Sequence, residues 1–326
     1  MSPASIADEM DTGRSLTCFG SFRKYDCFAS DAIREDAMST SFKKSEASLQ
    51  GITSSVETGM LGRRSFLALL GAGALGGLSS PVFADDTRLA ALVDEAPQTH
   101  VLIPALRNAL DSLDALKTVT DYEANFTKTE KIGRSVLTSK MLLKVRHEPF
   151  SVYVKYLDPH EGREAIYVHG KNDGKVVVHD TGLASLAGTL KLDPLGSTAM
   201  GESRHPIYKV GMKLLVETAM GVWINQSKQN AGGITVNHYP NSKVGDQSCH
   251  AIETVLTLPI GVESFQTTRL YFDSVTKFPV RVQQYAFPER RGQKPTLVED
   301  YLYQNVKTNV GLTDVDFDPN NPRYGY

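Results

Sequence analysis

The apolar residues change from a helical to a strand period near residue 118, and this change restricts the fold more than any other feature of the sequence. Residues 101–118 carry apolar side chains at alternating spacings of four and three: Leu102, Leu106, Ala109, Leu113 and Leu116. This spacing predicts an amphipathic helix, with Pro104 in its first turn, where a proline is tolerated. From Tyr122 onward the apolar residues alternate with polar ones, which is the period of a strand with one buried side. The chain is therefore expected to run from a helix into a series of strands.

Further strands follow, and a second helix interrupts them. The predicted strands cover residues 122–127, 135–145, 150–156, 165–169, 175–180, 265–273, 280–287 and 297–306. Residues 181–194 are expected to be irregular. A helix that starts at Pro206 and reaches Val222 has so narrow a polar side that it should be covered almost all round. We predict an α+β domain in which one antiparallel sheet of about nine or ten strands curls around two apolar helices.

The first 84 residues are predicted to lie outside this domain. Residues 1–59 are rich in Ser and Thr without a sustained apolar period, which is typical of disorder or of an extension upstream of a true start at Met60. Residues 60–84 have the layout of an export signal, with a basic start, an apolar stretch too short to span a bilayer and a Val-x-Ala cleavage site. The residues that make it similar to a bacterial twin-arginine signal peptide are Arg63, Arg64, Phe66, Leu67 and Ala84. We expect a chain exported to the periplasm or cell envelope, with residues 85–326 as a single domain.

Composition and motifs argue against several function classes. The net charge of −2 provides no field that would gather nucleic acid. Cys249 is the only cysteine after residue 84, and it should not pair with His250 as a catalytic dyad because neighbours on a strand point to opposite faces. His169 and His179 could approach each other across a hairpin, but a metal site would need a third ligand. We expect no metal, no cofactor, no nucleic-acid partner and no transmembrane segment after the signal.

A set of short motifs occurs in a fixed order along the chain. They are Pro149–Lys155, Gly162-Arg163-Glu164, Asn172–Lys175, Leu192-Asp193-Pro194, Ala199-Met200, Arg204–Ile207 and the tail Asp316–Tyr324. Their order and spacing resemble a family of exported bacterial proteins classified only as a domain of unknown function, over about residues 102–326. That family is distantly similar to the LolA/LolB-like carriers of outer-membrane lipoproteins. The resemblance implies a half-open antiparallel barrel with a helical lid and an apolar hollow that holds acyl chains, and it implies no particular activity.

Two sets of residues are candidates for a binding site. Large apolar residues predicted to line the inner side of the sheet are Phe126, Phe150, Val152, Val154, Tyr156, Tyr167, Met212, Trp223, Phe272 and Tyr301. Charged residues that could contact a headgroup or a partner are Arg163, Glu164, Arg204 and His205. The alternative for Arg163 and Glu164 is a solvated turn, and for Arg204 and His205 it is initiation of the second helix. The pattern does not distinguish a ligand cavity from a packed core.

Three hypotheses about function follow. The first is a non-enzymatic exported binding protein for a lipid, an acyl chain or a lipidated protein. The second is an envelope structural or regulatory protein with a filled core, which acts through its surface on a protein partner. The third is a hydrolase that uses Glu164 or His205 as an acid or base.

Overall fold

The computed structural model of the protein describes residues 86–229, 232–260 and 264–326. Its helices are α1 (Asp86–Asp94), α2 (Ile103–Leu116), the short α3 (Ser197–Met200) and α4 (Met212–Lys228). Its strands are β1 (Asp121–Ile132), β2 (Ser135–Arg146), β3 (Ser151–Asp158), β4 (Glu164–Val168), β5 (Val176–His179), β6 (Leu190–Leu192), β7 (Ile234–Val244), β8 (Gln247–Leu256), β9 (Thr267–Asp273), β10 (Pro279–Ala286) and β11 (Thr296–Thr308). The predicted export signal and the extension before it lie outside the described residues.

In the part of the chain that the structure describes, the strands form one open antiparallel sheet of 11 strands, in the order β6-β5-β4-β3-β2-β1-β11-β10-β9-β8-β7. The first and last strands of the chain pair at the centre of the sheet, and β6 and β7 are its edges. This confirms the predicted α+β class and the single antiparallel sheet. Within the described residues, no helix is both long and apolar enough to cross a membrane.

Helices α2 and α4 pack against one face of the sheet, which we call the inner face. The apolar stripe of α2 is buried as its spacing predicts, and Pro104 lies in the first turn. Trp223 of α4 packs with α1, α2 and strands β8–β10 in one core cluster. Met212 and Leu214 at the start of α4 pack with β1–β5 and β11 in a second cluster. The inner face is therefore covered along its width, and its apolar side chains form the main core.

Two predictions about the elements were wrong. Residues 181–194 contain a 3₁₀ turn and the edge strand β6, which pairs with β5. The second helix starts at Met212 and not at Pro206, because Gly211, with φ of 135°, has a non-helical backbone conformation. A single 3₁₀ turn, Ile207–Lys209, follows Pro206 instead.

The C-terminal tail, residues 309–326, packs on the opposite, outer face of the sheet. Phe317 joins Tyr153, Ile166 and Val168 in a separate apolar cluster there. The ring of Tyr324 stacks on that of Tyr153 with 4.3 Å between centroids. The last residues of the chain therefore cover the outer face of β3 and β4.

Candidate functional site

An irregular stretch between α3 and α4 crosses the inner face of the sheet, and we call residues 201–211 the covering segment. Its middle part is apolar: Ile207, Tyr208 and Val210 pack against the second core cluster. The ring of Tyr208 lies 5.7 Å from that of Tyr167. At the end of the segment, the amide of Gly211 donates to the hydroxyl of Tyr303 at 3.2 Å. The segment therefore covers apolar residues without being part of the sheet or of a long helix.

The predicted lining residues all belong to the core between the sheet, α4 and this segment, and Met212 and Trp223 are part of α4 itself. Eight of them belong to or pack against the second core cluster: Phe126, Phe150, Val152, Val154, Tyr156, Tyr167, Met212 and Tyr301. Trp223 and Phe272 belong to the first core cluster. Two open clefts of about 350 and 590 Å³ elsewhere on the protein are lined by none of the ten. In this structure the candidates pack against one another and against their cover.

The inner face becomes charged at one end of the central strand pair. Along β1, the inward positions run from Phe126 to Lys128 and Glu130, and all three side chains are buried. Glu130 is directly opposite Glu299 of β11 in the register of the sheet. Since paired residues of neighbouring strands project to the same face, the two carboxyl groups lie side by side.

Contacts from strands β1 and β11 and from the covering segment hold these carboxyl groups. The Lys128 Nζ donates to Glu130 Oε2 at 3.1 Å, and the Tyr301 hydroxyl donates to Glu130 Oε1 at 2.6 Å. Lys128 also donates to the carbonyl of Glu202 and to the hydroxyl of Ser203, each at 3.0 Å. The charged end of the inner face is thereby tied to the start of the covering segment.

Arg204 and His205 of the covering segment both contact Glu299. The Arg204 Nε donates to Glu299 Oε1 at 2.5 Å, and the His205 Nε2 lies 3.1 Å from the same oxygen. Burial would raise the pKa of Glu299, but the hydrogen bonds and charges of His205 and Arg204 outweigh it and lower that pKa below its usual value. Burial would lower the pKa of His205, but its hydrogen bond to Glu299 and the charge of that carboxylate raise it. Both shifts favour the charged forms, so a positively charged imidazole is paired with a negatively charged carboxylate.

Arg163 also reaches the covering segment. Its guanidinium contacts Glu202 at 2.8 Å and Asp180 at 2.7 Å. The structure thus brings three of the four predicted polar residues to the covering segment. Arg204 and His205 precede a single 3₁₀ turn and not the start of α4, so the alternative interpretation that they initiate the second helix was wrong.

Glu164 lies apart from the other three, on the outer face. It is 0% exposed beneath the C-terminal tail, where it accepts a hydrogen bond from the amide of Gly325 and pairs with Lys155. The interpretation of Glu164 as part of a solvated turn was therefore wrong. The sequence around Glu164 does not reveal this burial, because the tail that buries Glu164 is more than 140 residues away in the sequence.

The histidine pair is also not formed. His179 is opposite Glu164 in the sheet, and His169 lies beyond the other end of the same hairpin. Among the residues that the structure describes, no group of three or more His, Cys, Asp or Glu side chains could hold a metal ion.

Lys128, Glu130 and Glu299 were missed in the sequence, although one signal for two of them was present. The alternation that puts Phe126 on the inner face also puts Lys128 and Glu130 there. The position of Glu299 could not be read in the same way, since it depends on the pairing of the first strand with the last.

Several solved structures have low-identity similarity to this chain. A DUF1329 family protein from Desulfovibrio piger is 14% identical with a TM-score of 0.33, and the match covers 68% of this chain and 98% of that one. The lipoprotein LppX from Mycobacterium tuberculosis is 15% identical with a TM-score of 0.37, over 70% of this chain and 99% of that one. A LolA superfamily protein from Nitrosomonas europaea is 11% identical with a TM-score of 0.27, over 66% and 97% of the two chains.

No protein of curated function is a significant sequence match to this chain. One family model does match, and it does so over residues 119–326, from just before β1 to the last residue of the tail. That span is more than half of the chain and holds every strand of the sheet, the covering segment and α4. The chain therefore belongs to the family DUF1571, which is described as a protein of unknown function.

Proposed function

We propose that this protein is an exported, non-enzymatic protein of the bacterial envelope that binds an acyl chain between the inner face of its sheet and the covering segment. The acyl chain would belong to a lipid or to a lipidated protein. The export rests on the sequence of residues 60–84, with Arg63 and Arg64 as the twin arginines. Binding would place the acyl chain against the lining residues of the second core cluster.

The observation that carries this proposal is the nature of the cover. The covering segment lies on large apolar side chains, but among its residues only a single 3₁₀ turn is regular. It can therefore move without breaking a strand or a long helix. A displaced cover would expose apolar area that costs about 25 cal/mol for each Å² left in water, and an acyl chain could cover that area instead.

The proposal is tested by asking what the protein carries. The full chain, produced in its native host and gently purified, is analysed by native mass spectrometry and then extracted with organic solvent. We expect a stoichiometric adduct that is recovered as lipid. A bare mass, no lipid in the extract and no uptake of added fatty acid would contradict the proposal.

A matched pair of variants locates the binding. Tyr208→Ala removes the ring that packs against Tyr167, so release of a labelled fatty acid should become faster. Tyr239→Ala removes a ring that is exposed on the edge strand β7, and release should stay unchanged. Equal release rates from both variants would place the ligand elsewhere.

A second candidate function is supported by the packing itself. The lining residues fill the space beneath the covering segment in this structure, as expected for an envelope protein that acts through its surface on a protein partner. Under this alternative the protein binds no lipid, and pull-downs from envelope extracts should recover one specific protein. A hydrolase has less support, because Glu164 is covered by the tail and His205 is held by Glu299 on the other face.

A further inference from the structure

The Arg204 guanidinium is a cation bound by protein oxygens at the edge of the apolar inner face. The guanidinium donates to the Glu299 carboxylate and, at 3.3 Å, to the carbonyl of Lys131. The Glu299 side chain is 3% exposed, whereas those of Arg204 and His205 are 33% and 46% exposed. The carboxylate thus lies at the bottom of the site, and its two cationic partners lie towards solvent.

The charges on the two sides of this contact are unequal. The sheet contributes two carboxyl groups, Glu130 and Glu299, and one ammonium group, Lys128, which pairs with Glu130. Both cationic partners of Glu299 come from the covering segment. When the segment moves away, the sheet therefore keeps an excess of one negative charge, located on Glu299.

An apolar surface adjoins this charge. The Tyr301 hydroxyl contacts Glu130, and the Tyr301 ring packs near Phe126, with 6.2 Å between centroids. Phe126 in turn stacks on Tyr303 at 4.7 Å, further along the inner face. A ligand that follows this surface would meet aromatic side chains first and the Glu299 carboxylate at its end.

We propose that the Glu299 site binds a cationic head, a primary amine or a guanidinium, on the amphiphile whose chain lies against the inner face. This inference rests on the proposed function and names the class of ligand. A buried carboxylate loses much of its hydration and is stabilised by a hydrogen-bonded cation. In the covered state Arg204 is that cation, and the ligand's head replaces it when the segment moves. The covering segment and the ligand therefore compete for one carboxylate.

Arg204 therefore has a role opposite to that of a residue that contacts an anionic headgroup. If Arg204 contacted an anionic headgroup, its removal would weaken the binding of a fatty acid. If Arg204 occupies the place of a cationic head, its removal leaves that place free. Arg204→Gln should then strengthen the binding of an alkylamine, and the two roles predict opposite results.

The test uses three amphiphiles with the same chain: dodecylamine, dodecanol and lauric acid, below their critical micelle concentrations and at neutral pH. Their affinities are measured by calorimetry for the full-length wild type, Arg204→Gln, Glu299→Gln and Asp300→Asn. Asp300 is the next residue on β11 and pairs with Arg281 on the outer face, so it is a matched loss of one carboxylate. Circular dichroism confirms that each variant is folded.

We expect the wild type to bind dodecylamine about tenfold more tightly than dodecanol, which corresponds to about 1.4 kcal/mol. Glu299→Gln should abolish this preference, and Asp300→Asn should keep it. Arg204→Gln should strengthen dodecylamine binding several-fold and leave lauric acid no better bound.

Two contrary results are distinguishable. If all three compounds bind but Glu299→Gln leaves their ratios unchanged, or if Arg204→Gln weakens lauric acid selectively, the cationic-head assignment is overturned and the acyl-chain function stands. If none of the three binds to any of the four proteins, the proposed function fails and the assignment fails with it.

Discussion

At the scale of single residues, the contact between His205 and Glu299 makes the hold on the covering segment depend on pH. The imidazole faces Glu299 and Tyr301 of β11, with Glu130 of β1 and its own neighbour Arg204 close by. The pKa of His205 is raised in the folded protein, so its stabilising contribution is complete below about pH 6.5 and is lost as the pH rises through the raised pKa. The pKa of Glu299 is lowered, so its contribution is present above about pH 4.3 and is lost as the pH falls through the lowered pKa.

We therefore predict that His205→Gln flattens the fall in stability of the wild type above neutral pH. Thermal unfolding between about pH 6 and pH 9 measures it, since His titrates in this range. His147 and His250 have pKa values lowered by burial, and they remain in both proteins, so their contributions cancel in the comparison. Parallel profiles for the two proteins would show that His205 is not charged in the folded state.

At the scale of elements, the sequence predicted several helices and strands in which one side is buried, but it did not predict β8, which is also largely buried. Strands β1–β3 and helix α2 were found because apolar and polar residues follow the right period over a long run. Strand β7 has hardly a buried residue and contains Pro240, so its sequence carries no alternation. An edge strand tolerates this composition, because one side of its backbone makes no ladder hydrogen bonds.

The start of α4 shows a different reason for error. Apolar spacing continues from Ile207 through Val210 into the helix, but these residues pack on the inner face from an irregular backbone. What prevents the helix from starting earlier is the backbone of Gly211, whose φ of 135° is accessible to glycine and strained for other residues. A spacing of apolar residues does not record such a backbone state.

Alanine substitutions at two glycines, one before α4 and one within it, test this explanation. Gly211→Ala should lower the free energy of unfolding by about 1–3 kcal/mol, because alanine is strained at this φ and its Cβ would lie 3.4 Å from the Tyr122 hydroxyl. Gly221→Ala, within α4 with nothing near the new Cβ, should raise it by about 0.5–1 kcal/mol. Chemical denaturation measures both, and equal effects of the same sign would contradict the account of Gly211.

At the scale of the whole molecule, segments that are distant in the sequence come together. The first and last strands pair at the centre of the sheet, and the tail after the last strand covers Glu164 on the outer face. The charged end of the inner face arises from the same pairing, since it brings Glu130 beside Glu299. This is the part of the candidate site that local sequence patterns could not contain, because the two residues are distant in the chain.

The tail should therefore contribute measurably to stability. Tyr324→Ala loses the stack on Tyr153 and the hydrogen bond from its hydroxyl to the Asp316 carbonyl at 2.7 Å, and we expect a loss of about 2 kcal/mol in the free energy of unfolding. Arg323→Ala, at an exposed neighbouring side chain, should change it by less than about 0.5 kcal/mol. Similar losses from both substitutions in urea titrations would show that the stack on the outer face adds nothing.

The central claim is that an acyl chain enters beneath the covering segment, and a single tryptophan placed there tests it most directly. The chain contains one tryptophan, Trp223, so Trp223→Phe with Tyr208→Trp gives a protein whose only tryptophan lies in the covering segment. The control is Trp223→Phe with Val275→Trp, at a position that is 86% exposed between β9 and β10.

Fluorescence is measured during titration with a dodecyl chain brominated near its end and with the same chain without bromine. We predict saturable quenching of the tryptophan at position 208 by the brominated chain only, and none at position 275. Saturable binding without quenching at position 208, or equal quenching at both positions, would contradict the claim.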